Sequence, residues 1–409
     1  MTKALFVTYG GGHIAMVMPV IAALNRLNPN IECVLVALTT GGARARAAGL
    51  NCLGYADFLH HVDANQALAI GARLHQSNNS PDVSEQESHA YLGVNYLDLI
   101  EQHGERQAKI IYEEKGRYAF FPVNFMRRVI AEIAPDIVVA TNSPRSEEAA
   151  LLAAKDLKIP CMAMVDLFGL VSDTFVTRSI KPDWTCVLAD SVAKSLVENG
   201  FEATSLVVTG NPAFDGIVAP DVHEKADQFL TRLGWHGRQV ILYIGAWESV
   251  AHPHTNIPAG RSFPVEVEQI LRQYLVARPE AALIIRYHPS DWSVYPRLAD
   301  TQSVYFSEPP RDPIHPLILA SSVIVNTNST VGLEAAVAGK SVVSIENSPS
   351  VHHWFSLAKL GISYPSPTHL DLPEVLDAVL EHKRPRGRFQ TDGQAAFRVA
   401  VQIGKILAK

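Results

Sequence analysis

Cysteine is scarce in this 409-residue sequence, and the cysteines present lack the spacing of a metal site or a disulfide framework. No two of them form a C-x-x-C pair, and each lies in an apolar stretch: Cys33, Cys52, Cys161 and Cys186. Isolated cysteines of this kind are typical of buried thiols in a reducing compartment. We therefore expect neither a cysteine-based zinc site nor disulfide bonds.

Long apolar runs and an excess of positive charge are also lacking. No apolar run reaches the roughly 18 residues that a transmembrane helix needs, and the first residues resemble a strand rather than a signal peptide. The formal charge is −6, from 35 basic and 41 acidic residues, which argues against nucleic acid as a partner. We expect a cytoplasmic protein, and peripheral contact with the inner face of the membrane stays open.

What the sequence does contain is a repeated alternation of short apolar runs and helix-like segments. Nearly continuous runs of Val, Ile, Leu and Ala favour strands of a parallel sheet that is covered on both faces. Such strands are predicted at 3–9, 31–38, 51–55, 136–142, 161–167 and 184–189, and again at 238–246, 281–289, 303–308, 323–328 and 341–346. The alternation predicts an α/β fold with two doubly wound, Rossmann-like domains.

The domain boundary is expected in the Gly- and Pro-rich segment 208–220, because the chain is too long for one ordinary core. This gives an N-terminal domain over 1–215 and a C-terminal domain over 216–392. A polar insertion at about 75–116 is expected to act as a lid or binding flap, and 393–409 is predicted to be a helix able to pack back on the N-terminal domain. Open α/β sheets bind ligands at the carboxyl ends of their strands, so two such domains predict a ligand cleft.

The first predicted strand ends in three glycines and a histidine, "GGGH" at 10–13. Gly11 and Gly12 can adopt backbone angles closed to other residues and let a ligand approach closely. The helix that follows would direct free N–H groups at an anion, with His13 beside it. The alternative is a tight turn with a surface histidine, and the motif alone does not separate the two.

A second histidine ends a predicted strand of the C-terminal half. His288 lies before Pro289 in "RYHPSD" (286–291), and the proline favours an extended backbone at the residue before it. His288 could therefore donate to a phosphate oxygen, with Arg286 in support. The alternative is a turn that terminates the strand.

The segment "NTNSTVGLEAAVAGKSVV" (326–343) is more specific. Asn328, Ser329 and Thr330 form a polar strand-to-helix turn whose hydroxyls and helix N-terminus can hold phosphate oxygens. Glu334 is predicted on the first helical turn, where its carboxylate could accept hydrogen bonds from two ribose hydroxyls. The alternative is an ordinary N-cap, with Glu334 complementing the helix dipole.

Together these motifs resemble those of GT-B glycosyltransferases. "GGGHIAMVMPVIAAL" is similar to the opening of the lipid I N-acetylglucosaminyltransferase, and "VTGNPAFD" (208–215) resembles the interdomain segment of that enzyme and of UDP-N-acetylglucosamine 2-epimerase. The strand-end H-P and the N-S-T-V-G-L-E-A-A-x-x-G-K pattern look most like capsule and surface-polysaccharide transferases. The resemblance spans both halves of the chain and implies a GT-B-like fold.

The resemblance also implies roles for individual residues. Glu334 would hold the donor ribose, while His288, Ser329 and Thr330 would lie on the donor phosphates. Gly245 and Ala246, in "YIGAWE", would let the nucleotide approach. From the first domain, His13 would face the reacting sugar as catalytic base, with Asp166 in "VDLFG" as the other catalytic candidate; an Asp that caps a turn is the alternative there.

The sequence departs from the family patterns at several places. The epimerase motif D-S-G-G is replaced by "NTNST", and neither H-R-R-E-N nor the acidic motif of polysialyltransferases is evident. Four histidines suggest a metal site, but no cysteine or carboxylate spacing completes it: His252, His254, His352 and His353. The resemblance implies a metal-independent enzyme without a cofactor. His315 is expected either near the nucleotide or in a loop.

The leading hypothesis is a glycosyltransferase that moves a sugar from a UDP- or CMP-sugar to an acceptor hydroxyl in bacterial surface polysaccharide or glycolipid biosynthesis. Two alternatives stay open: a nucleotide-sugar epimerase or hydrolase, and a non-catalytic nucleotide-sugar-binding partner in polysaccharide assembly. The partners expected are a nucleotide-sugar donor and a saccharide or glycolipid acceptor. A homodimer is left open.

Overall fold

The computed structural model describes residues 2–75, 83–166, 168, 174–178, 181–298, 301–327, 329–353, 356–382 and 392–408. The chain divides into two compact units. Unit 1 consists of Met1–Asp215 and Gln394–Lys409, and unit 2 consists of Gly216–Gly393. Each unit is built around its own parallel sheet.

Unit 1 contains a six-stranded parallel sheet in the order β2-β1-β3-β4-β5-β6. Its strands are β1 (Thr2–Thr8), β2 (Ile31–Ala37), β3 (Ile137–Thr141), β4 (Cys161–Met164), β5 (Trp184–Val187) and β6 (Leu206–Val208). The α-helices in the described residues up to position 215 are α1 (Gly12–Leu27), α2 (Thr40–Ala47), α3 (Ala64–Leu74), α4 (Glu85–His103), α5 (Glu105–Lys115), α6 (Val123–Ile133), α7 (Ser146–Asp156), α8 (Thr174–Thr177) and α9 (Asp190–Glu198).

Unit 2 contains a second six-stranded parallel sheet, in the order β12-β11-β10-β7-β8-β9. The strands are β7 (Gln239–Gly245), β8 (Ala281–Tyr287), β9 (Val304–Phe306), β10 (Val323–Asn326), β11 (Ser341–Ile345) and β12 (Tyr364–Ser366). The helices are α10 (Pro220–Leu233), α11 (Ser262–Val276), α12 (Ile314–Ala320), α13 (Thr330–Val337), α14 (Pro349–His353) and α15 (Leu372–His382).

The last helix of the chain, α16 (Ala395–Leu407), belongs to unit 1. The Asp215 carboxylate accepts hydrogen bonds from the backbone N–H groups of Ala395 and Ala396, at 2.9 and 2.7 Å, and so satisfies free donors at the start of α16. Val399 and Ile403 then pack into the core of the first sheet. The end of the chain is therefore an integral part of unit 1.

The strands are buried because they are apolar on both faces. In β1, every residue from Ala4 to Thr8 is buried, and Ala4 and Phe6 share a core with helices α1 and α16. In unit 2, Ile241 and Leu283 pack in the same way beneath α11 and α15. Each sheet forms a doubly wound α/β domain, as the sequence predicts. The order of the strands in each sheet decides which of the loops that follow them are neighbours.

The structure differs from the sequence prediction at three short strands. The strand predicted over 51–55 makes only an isolated bridge, between Leu53 and Val36. Conversely, the edge strands β6 and β12 have three residues each and were not predicted. Short edge strands carry little apolar signal, and Pro365 in β12 is tolerated because an edge strand leaves one row of N–H groups unpaired.

The predicted insertion is largely helical. It contains α4 and α5, and residues 76–82 at its start lie outside the described residues. None of the helices in the described ranges combines the length and apolar character needed to span a bilayer.

Candidate functional site

The glycine turn of unit 1 connects β1 to α1, and its glycines are required for different reasons. Gly11 has φ 67° and ψ −130°, a conformation that a residue with a β-carbon rarely adopts. A β-carbon on Gly10 would lie 2.1 Å from Oγ1 of Thr40, so this glycine lets the start of α2 pack closely. Gly12 has open space around it. Of the three, only Gly11 and Gly12 are exposed, which is where a ligand could approach the backbone.

His13 is the second residue of α1 and is half-buried. The N-cap residue Gly11 offers no side-chain acceptor, and the first turn of α1 carries no acidic residue. The guanidinium of Arg44 donates to the Gly11 carbonyl at 2.8 Å, which fixes the turn from the side of α2. The N-terminal end of α1 therefore carries positive partial charge beside His13.

Asp166 follows β4 and is held by its backbone. Its N–H donates to Oδ1 of Asn142 at 2.9 Å, and its carbonyl accepts from Nδ2 of Asn211 at 2.5 Å. Because β4 lies two strands from β1 in the sheet, Asp166 is about 10 Å along the carboxyl edge from the glycine turn. The two asparagines, which the sequence did not single out, orient this loop.

A buried carboxylate near the same edge was missed by the sequence analysis. Glu147 lies at the start of α7 and is fully buried. Burial raises the pKa of its carboxyl to about 7, although the backbone N–H groups of Glu147 and Tyr9, the Ser143 hydroxyl and the Arg145 charge all favour the ionised form. The Arg145 guanidinium lies over the Tyr9 ring, 5.3 Å from its centroid. In a sequence, an acidic residue at a helix start is usually an exposed side chain that complements the helix dipole. Only its burial shows that Glu147 differs from such a residue.

The strand-to-helix turn after β10 is organised by its own side chains. Ser329 is the N-cap of α13, and its Oγ accepts from the N–H of Val331 at 3.2 Å. Nδ2 of Asn326 donates to the Ser329 carbonyl, also at 3.2 Å. Ser329 therefore acts as an N-cap, which is the alternative interpretation given for this turn. Thr330, the next residue, is exposed. Asn328 lies outside the described residues.

Glu334 lies one turn further along than the sequence predicted. Helix α13 begins at Thr330, which places Glu334 in the second turn, so it does not complement the dipole of the first turn. Its Oε2 is 3.1 Å from Nε2 of His315, in the first turn of α12, and both side chains are less than one-third exposed. The prediction of a first-turn carboxylate was wrong, because the cap is Ser329 and Glu334 is the fifth residue of the helix, just beyond its first turn.

His288 follows the last residue of β8 and is exposed. Its backbone N–H donates to the Gly245 carbonyl at 2.9 Å, which joins the carboxyl ends of β7 and β8. Its Nδ1 accepts from the N–H of Ser290 at 3.2 Å and lies 2.7 Å from the Ser290 hydroxyl. A neutral His288 ring therefore carries its proton on Nε2, the nitrogen that can donate to an outside acceptor.

Two predicted site residues next to His288, Gly245 and Arg286, have structural roles. A β-carbon on Gly245 would lie 2.6 Å from the Tyr287 ring, so this glycine is needed for packing, and Ala246 is half-buried next to it. Arg286 is buried, which lowers its pKa, and it donates to Oγ of Ser307 at 2.8 Å and to the Asp312 carbonyl at 2.6 Å. Arg286 thus positions the segment that leads into α12 and His315.

Glu248, another residue that the sequence analysis missed, ties two loops of unit 2 together. Its buried carboxylate accepts from the Ser348 hydroxyl at 2.8 Å, from the Ser350 N–H at 2.9 Å and from the Ser350 hydroxyl. The loops after β7 and β11 are therefore fixed to each other, although β10 lies between these strands in the sheet.

Three of the four histidines that suggest a metal site meet at these loops. The ring of His352 lies 5.2 Å from that of His252 and 5.4 Å from that of His254, between ring centroids. Burial, and then the charges of the other two rings, lower the pKa of His252. Among the residues described, the groups whose ligand atoms converge closely enough for a metal ion lie elsewhere, in unit 1.

The strand order brings five of the predicted nucleotide-binding residues of unit 2 to one edge. The strands β10, β7 and β8 are consecutive neighbours in the sheet. Ser329 and Thr330 follow β10, Gly245 ends β7 with Ala246 directly after it, and His288 follows β8. Parallel strands end at the same edge, so these residues form one row along it.

No protein-family model and no curated protein sequence matches this chain. Solved structures do match it over nearly its whole length. A UDP-GlcNAc 2-epimerase from Methanocaldococcus jannaschii has a TM-score of 0.61 at 14% identity, covering 99% of this chain and 100% of its own. The UDP-GlcNAc 2-epimerase from Neisseria meningitidis, solved with UDP-GlcNAc bound, has a TM-score of 0.57 at 15% identity with the same coverage.

A glycosyltransferase is among the matching structures as well. The calicheamicin glycosyltransferase CalG4 has a TM-score of 0.55 at 16% identity, and the match covers 100% of this chain and 99% of that one. At this level of identity the likeness concerns the fold. The chain has a two-domain, GT-B-like α/β fold, in agreement with the sequence prediction.

Proposed function

We propose that the chain is a glycosyltransferase that binds a nucleotide sugar at the carboxyl edge of unit 2. The observation that supports this most is the row formed after β10, β7 and β8, because it combines phosphate-binding groups of three kinds. These are the hydroxyls and backbone N–H groups at Ser329 and Thr330, the half-buried backbone of Ala246 just after β7, and the Nε2–H of His288. Glu334, oriented by His315, holds the ribose hydroxyls.

Unit 1 supplies the acceptor side in this proposal. The acceptor hydroxyl attacks the anomeric carbon of the sugar, and the bond from that carbon to the donor phosphate breaks. His13 takes the proton of the hydroxyl as general base, and the groups of unit 2 stabilise the negative charge that develops on the leaving phosphate. Asp166 is the alternative base. Gly11 and Gly12 leave the backbone at the start of α1 exposed beside His13.

A second candidate, a nucleotide-sugar epimerase or hydrolase, is supported by the likeness to UDP-GlcNAc 2-epimerases from several organisms. It is opposed by the sequence, where "NTNST" replaces the epimerase motif D-S-G-G. A buried carboxylate such as Glu147, with a pKa of about 7, is the kind of group that proton transfer at a sugar carbon would use.

Incubation with UDP-GlcNAc and with CMP-sugars in the absence of an acceptor tests these candidates. The proposal predicts that the donor remains intact until a saccharide or glycolipid acceptor is added. Nucleotide and glycosylated product then appear in equal amounts. An epimerised sugar or free sugar formed without acceptor would instead establish the second candidate, and donor that stays intact with every acceptor offered would contradict both.

A further inference from the structure

Helices α3 and α4 of unit 1 cross with their backbones in contact. A β-carbon on Gly71 of α3 would lie 1.9 Å from the carbonyl oxygen of His89, and one on Gly93 of α4 would lie 1.8 Å from that of Ala67. Both glycines are therefore needed for the crossing. Because His89 lies at the crossing itself, its backbone is fixed relative to α3 and to the residue that ends α3, His75.

Two imidazoles and one carboxylate converge beside this crossing. Nδ1 of His75 lies 2.9 Å from Nε2 of His89, and the rings are nearly perpendicular at 78° with centroids 4.8 Å apart. Oε1 of Glu85 lies 3.7 Å from the same Nε2. Glu85 and His89 are one turn apart on α4, so both side chains lie on the same face of the helix. One ligand atom from each residue falls within 4.8 Å of the others.

We propose that His75, Glu85 and His89 form a binding site for a divalent transition-metal ion, with zinc as the expected occupant. Metal–nitrogen and metal–oxygen bonds of about 2.0–2.1 Å in tetrahedral geometry place ligand atoms roughly 3.3 Å apart. The separations of 2.9 and 3.7 Å lie on either side of that value. The third separation, between the ligand atoms of His75 and Glu85, is at most 4.8 Å, and the exposed Glu85 side chain can turn to bring the three atoms into one coordination sphere.

The donor set indicates the class of metal. Two imidazoles and one carboxylate suit zinc and its neighbours in the transition series, whereas magnesium and calcium prefer oxygen ligands. Three protein ligands leave a fourth position for water. Glu85 is 77% exposed and His89 is 16% exposed, so an ion can enter from solvent while the histidine that anchors it stays packed.

A metal at this site would join the end of α3 to the start of α4. Both helices lie in or next to the part of unit 1 where the sequence predicts a polar insertion. The ion has no part in the proposed sugar transfer, and the inference does not depend on that function.

A second group in unit 1 provides a matched control. Nε2 atoms of His60 and His61 both lie 2.6 Å from Oε2 of Glu132. This second group is more exposed than the first, with Glu132 at 44% and His60 at 56%, and it involves adjacent residues of one short helix. We expect ordinary hydrogen bonds and ion pairs there rather than a metal site.

The experiment is a titration of the chelator-treated full chain with Zn²⁺ by calorimetry and with Co²⁺ by visible absorption. We expect one tight equivalent, a Co²⁺ spectrum of tetrahedral intensity, and a higher melting temperature with Zn²⁺. His89→Ala and Glu85→Gln should each weaken binding, and His89→Ala by about 100-fold or more, because it removes a direct ligand and loss of an outer-shell partner alone costs about 10–100-fold. Glu132→Gln should bind as the unchanged protein does.

Glu85→Gln keeps the test decisive if His89→Ala fails to fold, because Glu85 is exposed and lies away from the crossing. The proposal is overturned if the unchanged protein binds neither ion saturably. It is also overturned if Glu85→Gln and His89→Ala both bind with unchanged affinity, or if Glu132→Gln abolishes binding instead.

Discussion

The imidazole of His315 contacts the carboxylate of Glu334, with Nε2 and Oε2 3.1 Å apart. The contact joins the first turn of α12 to the second turn of α13, and it holds the Glu334 side chain at the edge where the nucleotide is proposed to bind. One oxygen is engaged by His315, so the ribose hydroxyls would meet a carboxylate that is already oriented.

Glu334→Ala is therefore expected to weaken nucleotide binding strongly. Loss of hydrogen bonds to a charged group costs about 1.5–3 kcal/mol, or roughly ten- to a hundredfold in affinity. His315→Ala should have a smaller effect in the same direction, because the carboxylate remains but loses its orientation. Calorimetric titration with the nucleotide measures both, and Glu374→Ala, at an exposed position in α15, is the control. If Glu334→Ala and Glu374→Ala bind the nucleotide with equal affinity, Glu334 does not contact it.

His288 should act through Nε2, since Nδ1 accepts from the Ser290 N–H. We expect His288→Ala to lower nucleotide affinity by about ten- to a hundredfold, the cost of a hydrogen bond to a charged phosphate. Ser290→Ala should change it only slightly, because the backbone N–H that sets the tautomer remains. If Ser290→Ala were as damaging as His288→Ala, the serine hydroxyl itself would be the phosphate ligand.

His13 is predicted to affect the rate more than binding. General-base catalysis contributes about 10²–10⁴-fold, so His13→Ala should lose most of kcat while keeping near-normal affinity for the nucleotide. The measurement is steady-state kinetics beside calorimetry on the same variant. Weak nucleotide binding with residual kcat would make His13 a phosphate ligand and Asp166 the candidate base. Full activity of His13→Ala would mean that His13 is a surface residue of the glycine turn with no catalytic role.

The stability of unit 1 is expected to depend on pH because Glu147 is buried. Burial raises the pKa of its carboxyl from 4.5 to about 7, so between these values the folded state holds a proton that the unfolded state has released. The contribution of Glu147 to the free energy of unfolding therefore falls as pH rises through this window, by about 3 kcal/mol in total. Below about pH 4.5 both states are protonated and the contribution is constant.

Glu147→Gln isolates this effect, because glutamine keeps the shape and does not titrate. Between pH 5 and pH 8, the free energy of unfolding of the unchanged protein should decrease relative to that of Glu147→Gln. Chemical denaturation at both pH values measures it. A difference that is the same at the two pH values would mean that Glu147 is ionised throughout.

The sequence predicted those features that depend on local pattern. Continuous apolar runs such as 281–287 indicate buried parallel strands, and polar residues such as Ser329 and His288 directly after them must lie at the carboxyl edge of the sheet. The same reasoning placed Gly11 and His13 at the corresponding edge of unit 1.

Features set by contacts distant in sequence could not be predicted in this way. Glu248 is tied to Ser350 about a hundred residues later, and Glu147 differs from an exposed helix-start glutamate only by its burial. The helical position of Glu334 was wrong by one turn because helix starts are uncertain by a few residues until the cap is known. His75 and His89 meet only because Gly71 and Gly93 allow α3 and α4 to touch.

The proposed function requires that unit 2 bind a nucleotide at the sheet edge where Ser329 and His288 lie, with Glu334 on the ribose. A thermal-shift and calorimetric screen against UDP, CMP, CDP, GDP and ADP tests it most directly, with the double variant His288→Ala/Glu334→Ala in parallel. The account predicts that at least one nucleotide binds the unchanged protein saturably and raises its melting temperature, and that the double variant, folded to the same extent, loses both responses. Absence of binding by all five nucleotides, or equal binding by the two proteins, would contradict it.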